Sequence, residues 1–115
     1  MSKKEYYSND VNFCVLQGGL TADARVSPSG KHISFSVASS VGKDGSKTTD
    51  FLEVQIIGNY AEHFPVDRLV KGARVNVTGR NSSYKDENNM VTDKNGKSFA
   101  MSKIYVLADS VRFLG

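Results

Sequence analysis

The stretch Thr49-Asp50-Phe51-Leu52-Glu53-Val54-Gln55-Ile56-Ile57-Gly58 alternates between apolar and polar residues in the manner of a half-buried β-strand. Because successive side chains of a strand point to opposite faces, Leu52, Val54 and Ile56 share one face. The opposite face is mainly polar and carries Phe51. The pattern therefore predicts that Phe51 is displayed on the surface and not buried in the core.

A second stretch, Ala73-Arg74-Val75-Asn76-Val77-Thr78-Gly79-Arg80, divides in the same way. Its small and valyl residues form the core side, and Arg74 and Arg80 lie on the outer side, which reaches Tyr84 in the same phase. Aromatic rings on cationic strand faces allow unstacked bases to lie beside neutralised phosphates. The alternative is that Phe51 and Tyr84 cover a barrel end or an oligomer interface.

Length and composition indicate one folded unit. The chain has 115 residues, of which 39% are hydrophobic and 23% are charged. We expect a flexible N-terminal arm over residues 1–10 and a single domain over residues 11–115. The formal net charge of +3 permits an acidic partner such as nucleic acid without requiring one.

The chain contains one cysteine, Cys14, which cannot form an internal disulfide. The first residues lack the apolar region of a signal peptide, and no segment approaches the length of a membrane span. These features predict a soluble, cytoplasmic protein with no membrane partner.

Three more strands are predicted, over residues 12–20, 31–38 and 98–113. Gly18-Gly19 marks a bend in the first of them, and Asp44-Gly45 indicates a hairpin between the second and third. A short helix is predicted after Gly58, redirected by Pro65. The polar segment 85–97 is predicted to be a mobile loop.

Five strands with a short helix between the third and fourth predict an all-β fold, specifically the five-stranded Greek-key barrel called the OB-fold. Its binding surface would lie on the second and third strands and the loops beside them. The alternative architecture is an open β-sandwich or an SH3-like barrel.

Basic residues near the two displayed aromatics are predicted to line a groove that follows the phosphates. Taken alone, each lysine is equally explained as a solubilising surface residue, so the prediction depends on the cluster. The predicted groove residues are Lys31, Lys43, Lys47, Arg74, Arg80, Lys85 and Lys97.

An enzyme is not predicted. His32 and His63 lie outside metal-ligand spacing of one another and of Cys14, so no metal site is expected. The sequence contains no glycine-rich phosphate loop or nucleophile elbow, and no cofactor is predicted.

Four segments together resemble bacterial and phage-type single-stranded DNA-binding proteins. Residues 12–20, followed by residues 27–31, are similar to the family's Val-Gly-Leu strand and Pro-x-Gly turn, and residues 50–62 to its aromatic strand and helix start. Residues 69–80 resemble its Lys-Gly-x-x-Val-x-Val-x-Gly block, and residues 108–114 its closing strand.

The resemblance implies a protein that coats and protects single-stranded DNA during replication, recombination or repair. It further implies a homo-oligomer, with a tetramer favoured over a dimer, and replication or recombination proteins as further partners. Phe51 and Tyr84 match stacking aromatics, and Lys71 falls at a common basic position. Ile57 stands where many members have an aromatic, and none occurs near Ser40-Val41, so we expect weaker or more electrostatic binding.

The family's cellular members carry an acidic tail, whereas nothing follows Gly115 in this sequence. Either a tail was removed or this member has none, as would suit a phage-encoded protein acting in its host's cytoplasm. The alternative function is a primosome-like accessory subunit on the same fold. Its strand faces would serve protein contacts, with only modest affinity for single strands.

Overall fold

The computed structural model describes residues 10–43 and 45–115, so most of the predicted N-terminal arm, and Asp44, lie outside the described residues. Most described residues are in strands, and the helical parts are short, which confirms the all-β class. None of the described helices is long and apolar enough to cross a membrane. The elements are β1 Cys14–Leu20, β2 Arg25–Val26, β3 His32–Val41, β4 Thr48–Ile57, α1 Gly58–Glu62, a 3-10 turn Val66–Arg68, β5 Arg74–Thr92 and β6 Ser98–Phe113.

The strands form one sheet that closes on itself. Their order is β1-β5-β6-β4-β3-β2, and β1 also pairs with β3. The pairs are antiparallel except for β4 and β6, which run parallel through Val54/Val106 and Gln55/Leu107. β2 is an additional two-residue strand on β3 that the sequence did not predict. The result is a barrel-like sheet with a covered interior.

Closure depends on the bend predicted at Gly18-Gly19. β1 pairs with β5 as far as Gly19, and Gly19 and Leu20 pair with Ala38 and Val37 of β3. A Cβ atom added to Gly18 would collide with the carbonyl oxygen of Ala38. Glycine is therefore required at position 18 because the backbones of β1 and β3 approach too closely for a side chain.

A second close approach lies between β5 and β6. The register shifts at Thr78/Gly79, where Asp109 is an extra residue in β6 between the partners Ala108 and Ser110. A Cβ atom on Gly79 would collide with the carbonyl oxygen of Leu107. Such bulges bend a strand and increase its twist, which helps the sheet curl into a barrel.

The interior is filled by alternate residues of the strands. In β4, Val54 and Ile56 are fully buried and Leu52 packs against the core, as the alternation predicted. One end is closed by the helical segments, and Leu69, from the loop after them, is only 1% exposed. Tyr60 of α1 anchors this end, because its hydroxyl oxygen accepts a 2.8 Å hydrogen bond from the Val111 N–H.

The prediction of a mobile loop over residues 85–97 is wrong, because most of this segment is β-hairpin. β5 continues to Thr92, β6 begins at Ser98, and the two stay paired on both sides of an irregularity at residues 87–89. The Asp93 N–H donates to the carbonyl oxygen of Lys97 at 2.9 Å and closes the tip. The polar composition reflects solvent exposure on both faces, since the backbone hydrogen bonds of a hairpin do not depend on burial.

The β5–β6 hairpin extends well beyond the rest of the barrel. The pairing of β5 with β1 ends at Gly79, and that of β6 with β4 begins at Val106. Residues 81–105 therefore project as a two-stranded arm, which we call the arm. Leu107 lies on the outer face at the base of the arm, because Val106 and Ala108 take the buried positions.

Substitution of the two adjacent glycines tests the closure of the barrel. Gly18→Ala should lower the free energy of unfolding by about 1–3 kcal/mol, because the backbones must move apart. Gly19→Ala is the matched control, since a Cβ at that position would meet its nearest neighbour at 3.7 Å, an ordinary contact. Urea denaturation monitored by circular dichroism measures both. Equal stability of the two variants would contradict the proposed role of Gly18.

Candidate nucleic-acid interface

Phe51 lies on the outer face of β4, as the sequence predicted. Its side chain is 70% exposed, whereas the neighbouring inward positions Val54 and Ile56 are fully buried. On β3 the same alternation buries Ile33 and Phe35. A large aromatic ring is thus held on a rigid strand with its surface open to solvent.

A row of four paired residues connects Phe51 to Arg74 across the sheet. Phe51 pairs with Ala38, Ala38 with Gly19, and Gly19 with Arg74. Three strand spacings place the Phe51 and Arg74 backbones about 14 Å apart along the curved sheet. Because Gly19 and Ala38 between them have little or no side chain, the row forms a low floor between an aromatic ring and a guanidinium group.

A groove of about 460 Å³ lies beside this row. We call it the basic groove. Its polar lining carries two cations, Arg74 and Lys47, and the amide of Gln17. The Arg74 side chain passes over Gly19, where a Cβ atom would lie 3.7 Å from Nη1. The groove is lined by Gln17, Gly18, Ala38, Ser39, Ser40, Val41, Lys47 and Arg74.

The connection between β3 and β4 brings two predicted lysines to this region. Lys43 and Lys47 lie in the turn after Val41, and the Ser46 N–H donates to the Lys43 carbonyl oxygen at 2.9 Å. Farther along the hairpin, the hydroxyls of Ser40 and Thr49 are hydrogen bonded at 2.7 Å. Phe51 therefore has both lysines on its own hairpin and the basic groove beside it.

The arm carries a second aromatic group. Tyr84 pairs with Lys103 and lies 6.0 Å from Tyr105, centroid to centroid, with the rings tilted at 45°. Arg80 lies on the same face of β5, since it is four residues from Tyr84 in an unbroken strand. This face thus combines two aromatic rings with two cations.

Both groups lie at the same end of the barrel. β4 begins at the tip of its hairpin and β6 begins at the tip of the arm, and the two strands are parallel. The two hairpins therefore project in the same direction. The outer faces of β4 and β6 meet where Gln55 pairs with Leu107, which in turn pairs with Arg80.

The structure does not bring all ten predicted site residues together. Lys31 lies at the far end of β3, where its carbonyl oxygen accepts from the Gly58 N–H. β3 has 10 residues, which places Lys31 about 33 Å along the strand from the hairpin tip. Lys85 points to the face of the arm opposite Tyr84.

The other two lysines occupy turns. Lys97 lies at the tip of the arm, where its N–H donates to Asp93 Oδ1 at 3.0 Å. Lys71 precedes β5, and its N–H donates to Asp23 Oδ1 at 2.8 Å. Lys71 is therefore near Arg74 in the chain, while Lys97 belongs to the arm.

A chain of polar side chains crosses the outer face of β3 and β4 next to Phe51. His32 Nε2 lies 2.8 Å from Gln55 Oε1, and Gln55 Nε2 donates to Glu53 Oε2 at 2.5 Å. Since an amide oxygen can only accept, the proton lies on His32 Nε2. All three side chains are half-buried. An acidic group is thus held in place two residues from the displayed ring.

Sequence reasoning missed three residues of this surface, Lys103, Tyr105 and Gln17. It placed Glu53 on the same strand face as Phe51 but gave it no role. The alternation Phe99, Met101, Lys103, Tyr105 is visible in the sequence and would have placed Lys103 and Tyr105 on one face. Their position opposite Tyr84 depends on the register of the hairpin, which no local pattern specifies.

Among the described residues, no group of three or more His, Cys, Asp or Glu side chains is arranged to hold a metal ion. No family model matches the chain, and a search of the curated proteins found no significant match.

Two phenylalanine substitutions test whether Phe51 is held for a purpose other than stability. Phe51→Ala should change the free energy of unfolding by no more than about 0.5 kcal/mol, because the ring is mostly exposed. Phe35→Ala, the matched core variant, should cost about 3–5 kcal/mol. Thermal and urea denaturation measure both. A loss above about 2 kcal/mol for Phe51→Ala would show that the ring supports the fold.

Proposed function

We propose that this protein binds single-stranded DNA with little regard to sequence, coating and protecting it during replication, recombination or repair. The observation that carries the proposal is the exposed Phe51 ring beside a groove containing Arg74 and Lys47. An aromatic ring stacks any base, because every base has a π-face, and each such contact contributes about 1–3 kcal/mol. Neighbouring cations hold the phosphates that accompany the stacked bases.

The architecture proposed for this function is the OB-fold. Three features support it: the closed order of the five long strands, the parallel pairing of β4 with β6, and the helix between β4 and β5. In such a barrel the second and third long strands and the flanking hairpins form the binding face. Here those strands are β3 and β4, which carry Phe51 and border the basic groove.

The proposed path of the bound DNA begins at the basic groove and crosses Phe51 toward the arm. Lys43 lies near the start of this path, and Tyr84 and Tyr105 offer a second stacking platform at the other side. Arg80 and Lys103 accompany that platform, and Lys97 lies at its far end. The predicted contributions of Lys31 and Lys85 are smaller, because they lie away from both platforms.

We also propose that the protein acts as a homo-oligomer, so that the stacking platforms of several copies bind the same DNA strand. Along Cys14–Gly18, β1 pairs only with β5 among the described residues, which leaves its other edge available. Three large apolar side chains lie beside this edge: Val11, Phe13 and Val15 are 88%, 66% and 59% exposed. An exposed apolar strand edge is a typical site for pairing with a second chain.

A second candidate function is a protein-interaction subunit that binds single strands only modestly. The observation that favours it is the exposure of apolar side chains on the arm, where Ile104 is 66% and Met90 55% exposed. Exposed apolar groups that cluster on a projecting element are suited to protein contacts. The two functions differ in the affinity for single strands that they require.

Fluorescence anisotropy with labelled oligo(dT) and a matched duplex tests the proposed function. We expect tight binding to the single strand, weak binding to the duplex, and affinity that falls log-linearly with salt. Phe51→Ala should weaken binding by about 1–3 kcal/mol at every salt concentration. Lys47→Ala should make the salt dependence shallower, reducing the slope by about 0.7 for each phosphate that is no longer neutralised.

Lys31→Ala serves as the control for Lys47→Ala, because it removes the same charge at the far end of β3. It should leave the slope nearly unchanged. Equal effects of the two lysine variants would argue against the basic groove as the phosphate site. Binding too weak to saturate with both oligo(dT) and oligo(dC) would support the protein-interaction function instead.

Light scattering of the purified protein tests the oligomer. We expect a mass of two or four chains, and a shift toward the monomer for Val15→Lys, which places a charge beside the β1 edge. Val26→Lys is the control, since Val26 is also exposed, at 45%, but lies on β2. A monomeric unaltered protein, or equal masses for both variants, would contradict the use of this edge.

A further inference from the structure

The side chain of Glu53 is unexpected on a surface proposed to bind a polyanion. It lies on the outer face of β4, two residues after Phe51 and opposite Ser36 of β3. A carboxylate in this position repels phosphates and lowers the affinity for any single strand. Yet it is held by Gln55, which is held in turn by His32. The carboxylate is therefore fixed in one orientation next to the stacking ring.

Glu53 lies at a distance from Phe51 that suits contact with the edge of a base stacked on the Phe51 ring. Residues two apart on one face of a strand have Cα atoms about 6.6 Å apart. A glutamate side chain can span part of this distance and reach the rim of a base that lies on the Phe51 ring. Gln55 occupies one acceptor site of Glu53 Oε2, and a carboxylate offers about four in all. Glu53 thus retains acceptor capacity for a ligand.

The Glu53 carboxylate can distinguish among bases because it accepts hydrogen bonds from some of them and not from others. A carboxylate accepts hydrogen bonds and donates none, so it pairs with the exocyclic amino group of cytosine. Uracil and thymine present a carbonyl oxygen at the same ring position, which the carboxylate repels. Because the carboxylate is already oriented by Gln55, little conformational entropy is lost when the contact forms.

We propose that Glu53 reads the base stacked on Phe51 and favours bases that carry an exocyclic amino group over uracil and thymine. This inference depends on the proposed function, since it describes one position within a strand bound by other contacts. The contact with Glu53 gives a moderate base preference at this position, while the rest of the surface tolerates any sequence. The His32–Gln55 pair acts as a positioning device for the carboxylate.

The test compares oligo(dC) with oligo(dU), because the two pyrimidines differ only in the groups at ring positions 3 and 4. Fluorescence anisotropy uses labelled strands of about 16 nucleotides at about pH 8. The unaltered protein should bind oligo(dC) at least about fivefold more tightly. Glu53→Met, which keeps the length and removes the acceptor, should bring the two affinities within about twofold of each other, mainly by tightening oligo(dU) binding.

Asp50→Asn is the matched control, since it removes one negative charge from the opposite face of the same strand. It should keep the preference for oligo(dC). Glu53→Gln retains one acceptor oxygen and should keep only part of the preference; it replaces Glu53→Met if circular dichroism shows that the methionine variant is unfolded.

Two results would overturn the inference while leaving the proposed function intact: equal affinities of the unaltered protein for both strands, or an undiminished preference in both Glu53 variants. Failure of the unaltered protein to bind either strand would overturn the proposed function and this inference with it. The three results are distinguishable in one set of titrations.

Discussion

The contact between the backbones of β1 and β3 is the constraint on which the rest of the structure depends. At Gly18 the carbonyl oxygen of Ala38 occupies the space that a side chain would need. This approach lets β1 pair with β5 along most of its length and with β3 at its end. Without it the sheet would remain open, and its two faces would both require cover. Closure assigns one set of alternating residues to the core and leaves the other outside.

The same contact shapes the proposed binding surface. Gly19 and Ala38 lie where β1 meets β3, and their small size keeps the floor between Phe51 and Arg74 low. Larger residues there would lift a bound strand away from the ring and the guanidinium group. Small residues at this point let the strands approach closely enough to close the barrel. Under the proposed function, they would also let a ligand approach the backbone closely enough to meet both groups.

Alternation in the sequence correctly placed the residues of β3, β4 and the first half of β5, because burial on one face imposes a period of two. It failed over residues 85–97 of the arm, where both faces meet solvent and burial imposes no such period. The register of β5 against β6, which brings Tyr105 and Lys103 beside Tyr84, depends on contacts distant in sequence. The sequence could have shown that Lys31 and Lys85 lie away from the two aromatic groups. The length of the strand separates Lys31 from Lys47, and the alternation of strand faces separates Lys85 from Tyr84.

The proposed coating of DNA depends on the balance between electrostatic attraction to phosphates and stacking of bases. The two groove cations, Arg74 and Lys47, contribute about −1.4 to the slope of affinity against salt for a single strand. A fourfold rise in salt then costs about 1.2 kcal/mol, comparable to one stacked base at about 1–3 kcal/mol. Glu53 reduces the electrostatic part further. The two groove cations and the single ring of Phe51 do not hold a strand tightly by themselves. The platform of Tyr84 and Tyr105 adds to them, and linking several copies multiplies such weak contacts through effective concentration.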